Sequence, residues 1–183
     1  LGSTINKWKP VETELLQLEG YILFPIQRMS AELKIIIPAM KWARESKKVI
    51  LFRPHPYPSD TIDQTILWNK LKDVGLVSDY TVFSRNGTAE AVVDSCKALW
   101  TSNSGLGLQG IIKQKPVAYF HKDVDHTYGP IATYCKNIKE ATEAEAPSLA
   151  DIDKYLTWYY NEVVIDLSTN NYKEKIRDRI LGI

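Results

Sequence analysis

The sequence predicts an α/β fold, a parallel sheet with helices on both faces. Two observations predict it. Short runs of strand-forming apolar residues, closed by proline, glycine or polar residues, alternate along the chain with segments whose apolar positions recur at helical spacing. The strand runs are also nearly continuous in apolar character, as strands covered on both faces must be. Strands that alternate with helices return by crossovers and therefore pair in parallel.

The first predicted strand is Tyr21-Ile22-Leu23-Phe24-Pro25, introduced by Gly20. A helix is expected from about Ser30 to Ser46, with Leu33, Ile36, Ile37, Met40 and Ala43 on its apolar face, and with Pro38 kinking or splitting it. Lys48 to Arg53 gives the second strand, ended by Pro54. The next helix is expected from about Ser59 to Val74, capped by Ser59 or Asp60 and closed by Gly75. Thr81-Val82-Phe83 is a short third strand, and Thr88 caps a short helix reaching about Ser95. Lys97 to Thr101 forms the fourth strand, Gly105 to about Gln114 a helix, and Lys115 to Phe120 the fifth strand, whose Pro116 suits only a strand's start or edge. Two more helices are expected at Leu149 to Glu162 and Asn171 to Leu181, and the acidic stretch Glu140 to Ala146 carries the weakest signal. The layout is Rossmann-like, without internal repeats.

Composition narrows the function. The chain has 183 residues, 44% of them hydrophobic, which suits one domain over residues 1–183 with helices at 149–183. Lysine and arginine total 23 against 22 acidic residues, a net charge of +1, which argues against a non-specific nucleic-acid binder. No apolar run approaches the 18 or so residues of a membrane span, and Leu1-Gly2-Ser3-Thr4 does not begin a signal peptide. Cys96 and Cys135 make no disulfide framework and match no metal-ligand spacing, so both are expected to be reduced and the protein cytoplasmic. Asn86-Gly87-Thr88 fits a glycosylation acceptor formally and is read as a turn followed by a helix cap. The start at Leu1 in place of Met leads us to expect that something precedes it.

Open parallel sheets bind ligands beyond the carboxyl ends of their strands, where the strand-to-helix loops converge. There the chain carries Pro25 to Arg28, Arg53 to Pro58, Ser102 to Gly107 and His121 to His126, and all three histidines lie on this edge. Proline recurs at 54, 56 and 58 and stiffens the backbone around His55. Such a residue can hold a charged ligand; the alternative is that the prolines end the strand and His55 caps a backbone carbonyl. The turn Ser102-Asn103-Ser104-Gly105-Leu106-Gly107 offers hydroxyls and free N–H groups to an anion, of which phosphate is the obvious one. No Walker loop is present. Gly105, Gly107 and Gly110 match Gly-x-Gly-x-x-Gly in spacing, but a dinucleotide fingerprint belongs on the first strand of its unit. His121, Asp123, Asp125 and His126 are ligand types for a metal, yet histidines five apart in a loop favour a solvated loop from which one residue, His126, reaches the ligand. No metal and no cofactor are expected. No serine nucleophile elbow occurs, and Asp123 and Asp125 alone are placed to serve as a base.

Three blocks, in order, resemble the capsule polysaccharide biosynthesis family of bacterial glycosyltransferases, which includes transferases of CMP-activated Kdo. They are Tyr21 to Gln27, Arg53-Pro54-His55-Pro56, and Thr101 to Gly110 followed by Lys115-Pro116-Val117, within residues 21 to about 130. The resemblance implies the C-terminal half of a GT-B glycosyltransferase, the half that binds the donor nucleotide. It implies that His55 meets a donor phosphate, that Ser102, Asn103, Ser104, Gly105 and Gly107 close around the phosphates, and that Gln27 and Arg53 line the pocket. The family usually has Glu-Ala where this chain has Gln109-Gly110, so Gln109 would meet the ribose hydroxyls with an uncharged amide. The chain is also similar in layout to CDP-glycerol glycerophosphotransferases, although their acidic Thr-Asp-Tyr-Ser-Ser turn is replaced by Thr101-Ser102-Asn103-Ser104. Both relatives imply a CMP- or CDP-linked donor. A polysaccharide or glycolipid acceptor and the base would then belong to an N-terminal domain absent from these residues, and a peripheral association with the inner membrane face to the full-length enzyme. A nucleotide-sugar epimerase and a non-catalytic sugar-nucleotide-binding module are the other readings.

Overall fold

The computed structural model describes residues 20–122, 128–164, 168 and 171–181. Six strands form one sheet: β1 Ile22–Pro25, β2 Ile50–Arg53, β3 Thr81–Phe83, β4 Ala98–Thr101, β5 Val117–Tyr119 and β6 Thr133–Tyr134. Their order is β3-β2-β1-β4-β5-β6 and every pairing is parallel. Ile22 stands beside Ile50 on one side and Ala98 on the other, so β1 and β4 are neighbours although two strands intervene in sequence. This is the doubly wound, Rossmann-like order, and its switch point lies between β1 and β4.

Alternation along the strands separates two buried faces. Ile22, Phe24, Ile50, Phe52, Trp100 and Ala118 join one core with Ile36 and Met40 of α1 (Met29–Ser46), Trp68 and Leu71 of α2 (Pro58–Asp73), and Ile138 and Ala141 of α5 (Ile138–Thr142). Leu23, Leu51, Leu99 and Val117 alternate with them and are as deeply buried. On that opposite face lies α4 (Leu106–Ile112), whose Gly110 abuts Val117 and Leu99, and α4 touches α3 (Ala89–Ser95). Helices thus cover both faces, as the apolar strands predict.

Several local expectations are corrected. α1 runs through Pro38 as one helix; Pro38 is exposed, so water can satisfy the carbonyl that its missing N–H leaves free. α2 begins at Pro58, in the first turn, after Tyr57, and neither Ser59 nor Asp60 caps it. β6 is unpredicted, and a short helix, α5, occupies part of the acidic stretch, capped by Asn137, which accepts from the Glu140 N–H. Thr88 does cap α3, accepting from the Ala91 N–H at 3.2 Å, after a turn at Gly87 with φ of +77°. Burial pushes the thiols of Cys96 and Cys135 up to about 11.

The chain divides into two compact units, one ending at Pro147 and the other beginning at Ser148. In the second, α6 (Leu149–Trp158) is capped by Ser148, whose Oγ accepts from the Asp151 N–H and donates to its carboxylate. A π-helical turn at Tyr159–Val163 follows, and later α7 (Tyr172–Leu181). Among the described residues no helix is long and apolar enough to cross a membrane.

Candidate functional site

Two clefts open at the carboxyl edge of the sheet and share Gln27 and His55. The first, about 320 Å³, is lined by Gln27 after β1, Arg53 and His55 at the end of β2, Arg85 after β3, and Ser104 and Gly105 after β4. The second, about 600 Å³, is lined by Glu32, Ser102, Asn103 and His121, among others. Loops from four strands therefore converge where the strand order reverses.

His55 is fixed from several directions by the start of α2. Its N–H donates to Gln64 Oε1 at 2.8 Å, and its carbonyl accepts from Thr61 Oγ1 at 2.7 Å. Asp60 Oδ2 lies 3.1 Å from its Nδ1. Positions 60 and 61 reach His55 together with 64 because they lie four and three residues before 64, in the first two turns of the helix. Gln64, 2% exposed, also donates from Nε2 to the Gln27 carbonyl at 3.2 Å. One buried amide thus joins the loops after β1 and β2.

Arg53 donates through two nitrogens to the carbonyls of Asn86 and Gly87, at 3.0 and 2.8 Å, which pins the loop after β3. That loop carries Arg85, whose guanidinium donates to the Pro56 carbonyl at 2.8 Å. Burial, and then the charge of Arg85, push the Arg53 pKa below its ordinary value. Among the described residues neither guanidinium forms a salt bridge. Two cations held near each other without a carboxylate make a cleft that favours an anion.

In the turn after β4, the buried Thr101 accepts from the Ser104 N–H at 2.9 Å, and Ser104 Oγ accepts from the Leu106 N–H at 3.3 Å. Gly105 lines the first cleft with open space about its Cα. Gly107 answers to packing: a Cβ there would lie 2.5 Å from the ring of Tyr128. Gln109 is not brought to either cleft; it is exposed on α4 and lines a separate hollow with Glu90 and Lys113. His126, with Asp123 and Asp125, lies outside the described residues. Among the described residues no group of three or more His, Cys, Asp or Glu could hold a metal ion.

Sequence reasoning missed Glu32, Gln64 and Arg85. Glu32 is 4% exposed; its Oε2 accepts the N–H groups of Gln27 and Arg28 at 2.9 and 3.1 Å, while Oε1 and the Ser102 hydroxyl are buried near each other without, among the described residues, a hydrogen bond of good geometry. Burial raises its pKa against the lowering effects of nearby Ser102 and those two N–H groups. Glu32 and Gln64 look like ordinary helix residues in sequence. Arg85 could have been found, because it follows β3 on the same edge of the sheet.

A family model described as capsule polysaccharide biosynthesis protein matches residues 27–155. No curated protein matches the chain. Among solved structures, the UDP-GlcNAc 2-epimerase of Methanocaldococcus jannaschii in complex with UDP-GlcNAc and UDP aligns over 96% of this chain and 49% of its own, at 16% identity and a TM-score of 0.52. The S. aureus MnaA-UDP co-structure aligns over 89% of this chain and 52% of its own, at 11% identity and a TM-score of 0.50. Likeness at such identity shows the shared fold, and the chain spans about half the length of the solved structures it matches.

Proposed function

The chain belongs to the capsule polysaccharide biosynthesis family, and on that premise we propose that it is the donor-nucleotide-binding domain of a GT-B glycosyltransferase for surface polysaccharide. One observation carries the reading: Arg53 and Arg85, without a carboxylate partner among the described residues, line the same cleft as His55 and the Ser104-Gly105 turn at the switch point of the sheet. Such a cleft suits the phosphates of a sugar nucleotide. Fixed N–H donors there would stabilise the phosphate that departs when the sugar is transferred. Gln27, Ser102 and Asn103 would complete the donor pocket through the adjoining cleft. Gln109 has no role here, since it faces another hollow.

The donor is proposed to be a CMP- or CDP-linked sugar, following the resemblance of the His-Pro and serine-rich blocks. The solved neighbours are described with UDP or UDP-GlcNAc, so uridine nucleotides belong in the same comparison. The acceptor, the base and any contact with the membrane face are assigned to parts of the enzyme outside this domain. Calorimetric titration with CMP, CDP, UDP and GDP tests the reading. Binding of at least one nucleotide, weakened by His55→Ala, is expected; failure of all four at millimolar concentration would sink it. An epimerase would convert a sugar nucleotide without an acceptor, and a binding module would bind without turnover in the full-length protein.

A further inference from the structure

His55 Nδ1 lies 3.1 Å from Asp60 Oδ2 and 3.4 Å from the Tyr57 N–H. One nitrogen cannot serve both at once. It must carry a proton to donate to the carboxylate, and must present a lone pair to accept from the amide. The contact with Asp60 is the shorter and the charge-assisted one, so it prevails. We propose that Asp60 is a positioning residue that keeps Nδ1 of His55 protonated, so that His55 holds a phosphate only by taking up a proton at Nε2. The proposal rests on the phosphate reading of the cleft.

A phosphate oxygen accepts hydrogen bonds, so the ring must offer it an N–H. With Nδ1–H committed to Asp60, the nitrogen left for a ligand is Nε2, which in the neutral ring is a bare lone pair. A proton from solvent turns it into a donor and the ring into an imidazolium; no covalent bond other than N–H forms and none in the ligand breaks. Rearrangement is the alternative, and the surroundings oppose it. The backbone of His55 is bonded on both sides to α2, its ring packs on Tyr57 with centroids 4.9 Å apart, and its side chain is 17% exposed.

The charge of the ligand explains why the proton should arrive with the anion. Arg53 and Arg85 share the first cleft with His55; Arg28, Lys34, Glu32, Asp60 and His121 share the second. A bound phosphate adds negative charge beside the nitrogen that Asp60 does not hold and favours a proton there. Without Asp60 the ring would accept from Tyr57 at Nδ1, carry its proton at Nε2, and meet the phosphate as a neutral donor with no proton uptake.

Two measurements on the 183-residue protein test this. Long-range 1H–15N NMR of the ligand-free protein, at a pH where the ring is neutral, is expected to show the Nδ1–H tautomer of His55, and Asp60→Ala is expected to switch it to Nε2–H. Calorimetry with CDP in Tris and in PIPES at one pH is expected to give different enthalpies, reporting uptake of up to one proton per CDP, and affinity that falls as pH rises. In Asp60→Ala the buffer dependence should vanish and CDP should bind roughly fivefold to tenfold more weakly. Asp60→Asn keeps an acceptor oxygen without the charge and should lose part of the uptake, which maintains the test if the alanine variant fails to fold. An Nε2–H tautomer in the wild-type protein, or unchanged uptake in both variants, overturns the proposal. CDP binding by the wild-type protein without proton uptake overturns it while sustaining the phosphate reading; no binding of any of the four nucleotides overturns both.

Discussion

Gln64 holds His55 by its backbone: its Oε1 accepts the His55 N–H at 2.8 Å from a position 2% exposed, while its Nε2 reaches the Gln27 carbonyl at 3.2 Å. A single buried amide therefore bridges the two loops that both clefts share, beside the bond from the Ile26 N–H to the Arg53 carbonyl at 2.8 Å. Gln64→Ala should cost about 2–3 kcal/mol of stability, because it strands a donor and an acceptor in a part-buried place. Urea denaturation measures the cost. Nucleotide affinity should fall as well, since Gln27 and His55 would lose the side chain that bridges them.

The two arginines of the first cleft should separate in their effects. Arg85 is exposed and, among the described residues, makes one hydrogen bond, to the Pro56 carbonyl, so Arg85→Ala should leave stability within about 1 kcal/mol of wild type. It should weaken CDP binding roughly tenfold through the lost charge-assisted contact. Arg53→Ala releases the carbonyls of Asn86 and Gly87 and should lower stability by about 2 kcal/mol as well as affinity. Thermal melts beside calorimetry distinguish the two. Equal effects of both variants on stability would contradict the assignment.

Gly107 is required by packing. A methyl group there would approach three ring atoms of Tyr128 at 2.5 to 2.8 Å, a distance that forces movement. Gly107→Ala should destabilise by roughly 1–3 kcal/mol. The penalty should shrink in a Tyr128→Ala background, and a double-mutant cycle reads that coupling directly. Gly105→Ala, where the added atom meets nothing within 4 Å, should fold as wild type.

Glu32 makes stability depend on pH in a direction opposite to most carboxylates. Burial favours its neutral form, so the folded chain holds the proton more tightly than the unfolded chain, whose ordinary value is 4.5. Its contribution is greatest below that value and declines as pH rises through the raised folded-state value. Glu32→Gln retains an oxygen for the Gln27 and Arg28 N–H groups and has no proton to lose. Chemical denaturation across the acid range should show wild type losing stability relative to Glu32→Gln as pH rises; parallel profiles would refute this.

Much of the fold was legible because its physics is local. A strand buried on both faces must be apolar throughout, so β1, β2 and β4 stand out, and a helix cap such as Thr88 declares itself by type and place. β6 was not legible: Thr133 and Tyr134 form a strand only because Ala118 and Tyr119 lie beside them. In sequence Pro58 belongs with the prolines that stiffen the loop around His55, yet its fixed φ also suits the first turn of α2. In the candidate site, Gln27, His55 and the turn from Ser102 to Gly105 followed from the rule that loops converge at the carboxyl edge. Gln64 and Glu32 did not, because a helical glutamine or glutamate becomes a clamp only through what its helix faces.

The sequence by itself determined the class of fold, the edge of the sheet where polar chemistry gathers and the family to which the chain belongs, since each depends on residue types and on their order. Tertiary structure alone decided which of those residues meet. The order β3-β2-β1-β4-β5-β6 sets β1 beside β4, brings Arg85 into a cleft with Arg53 and turns Gln109 away on the surface of α4. The physical reason is that strand neighbours and helix faces are fixed by burial across the whole sheet, a cooperative property that no local run of sequence contains.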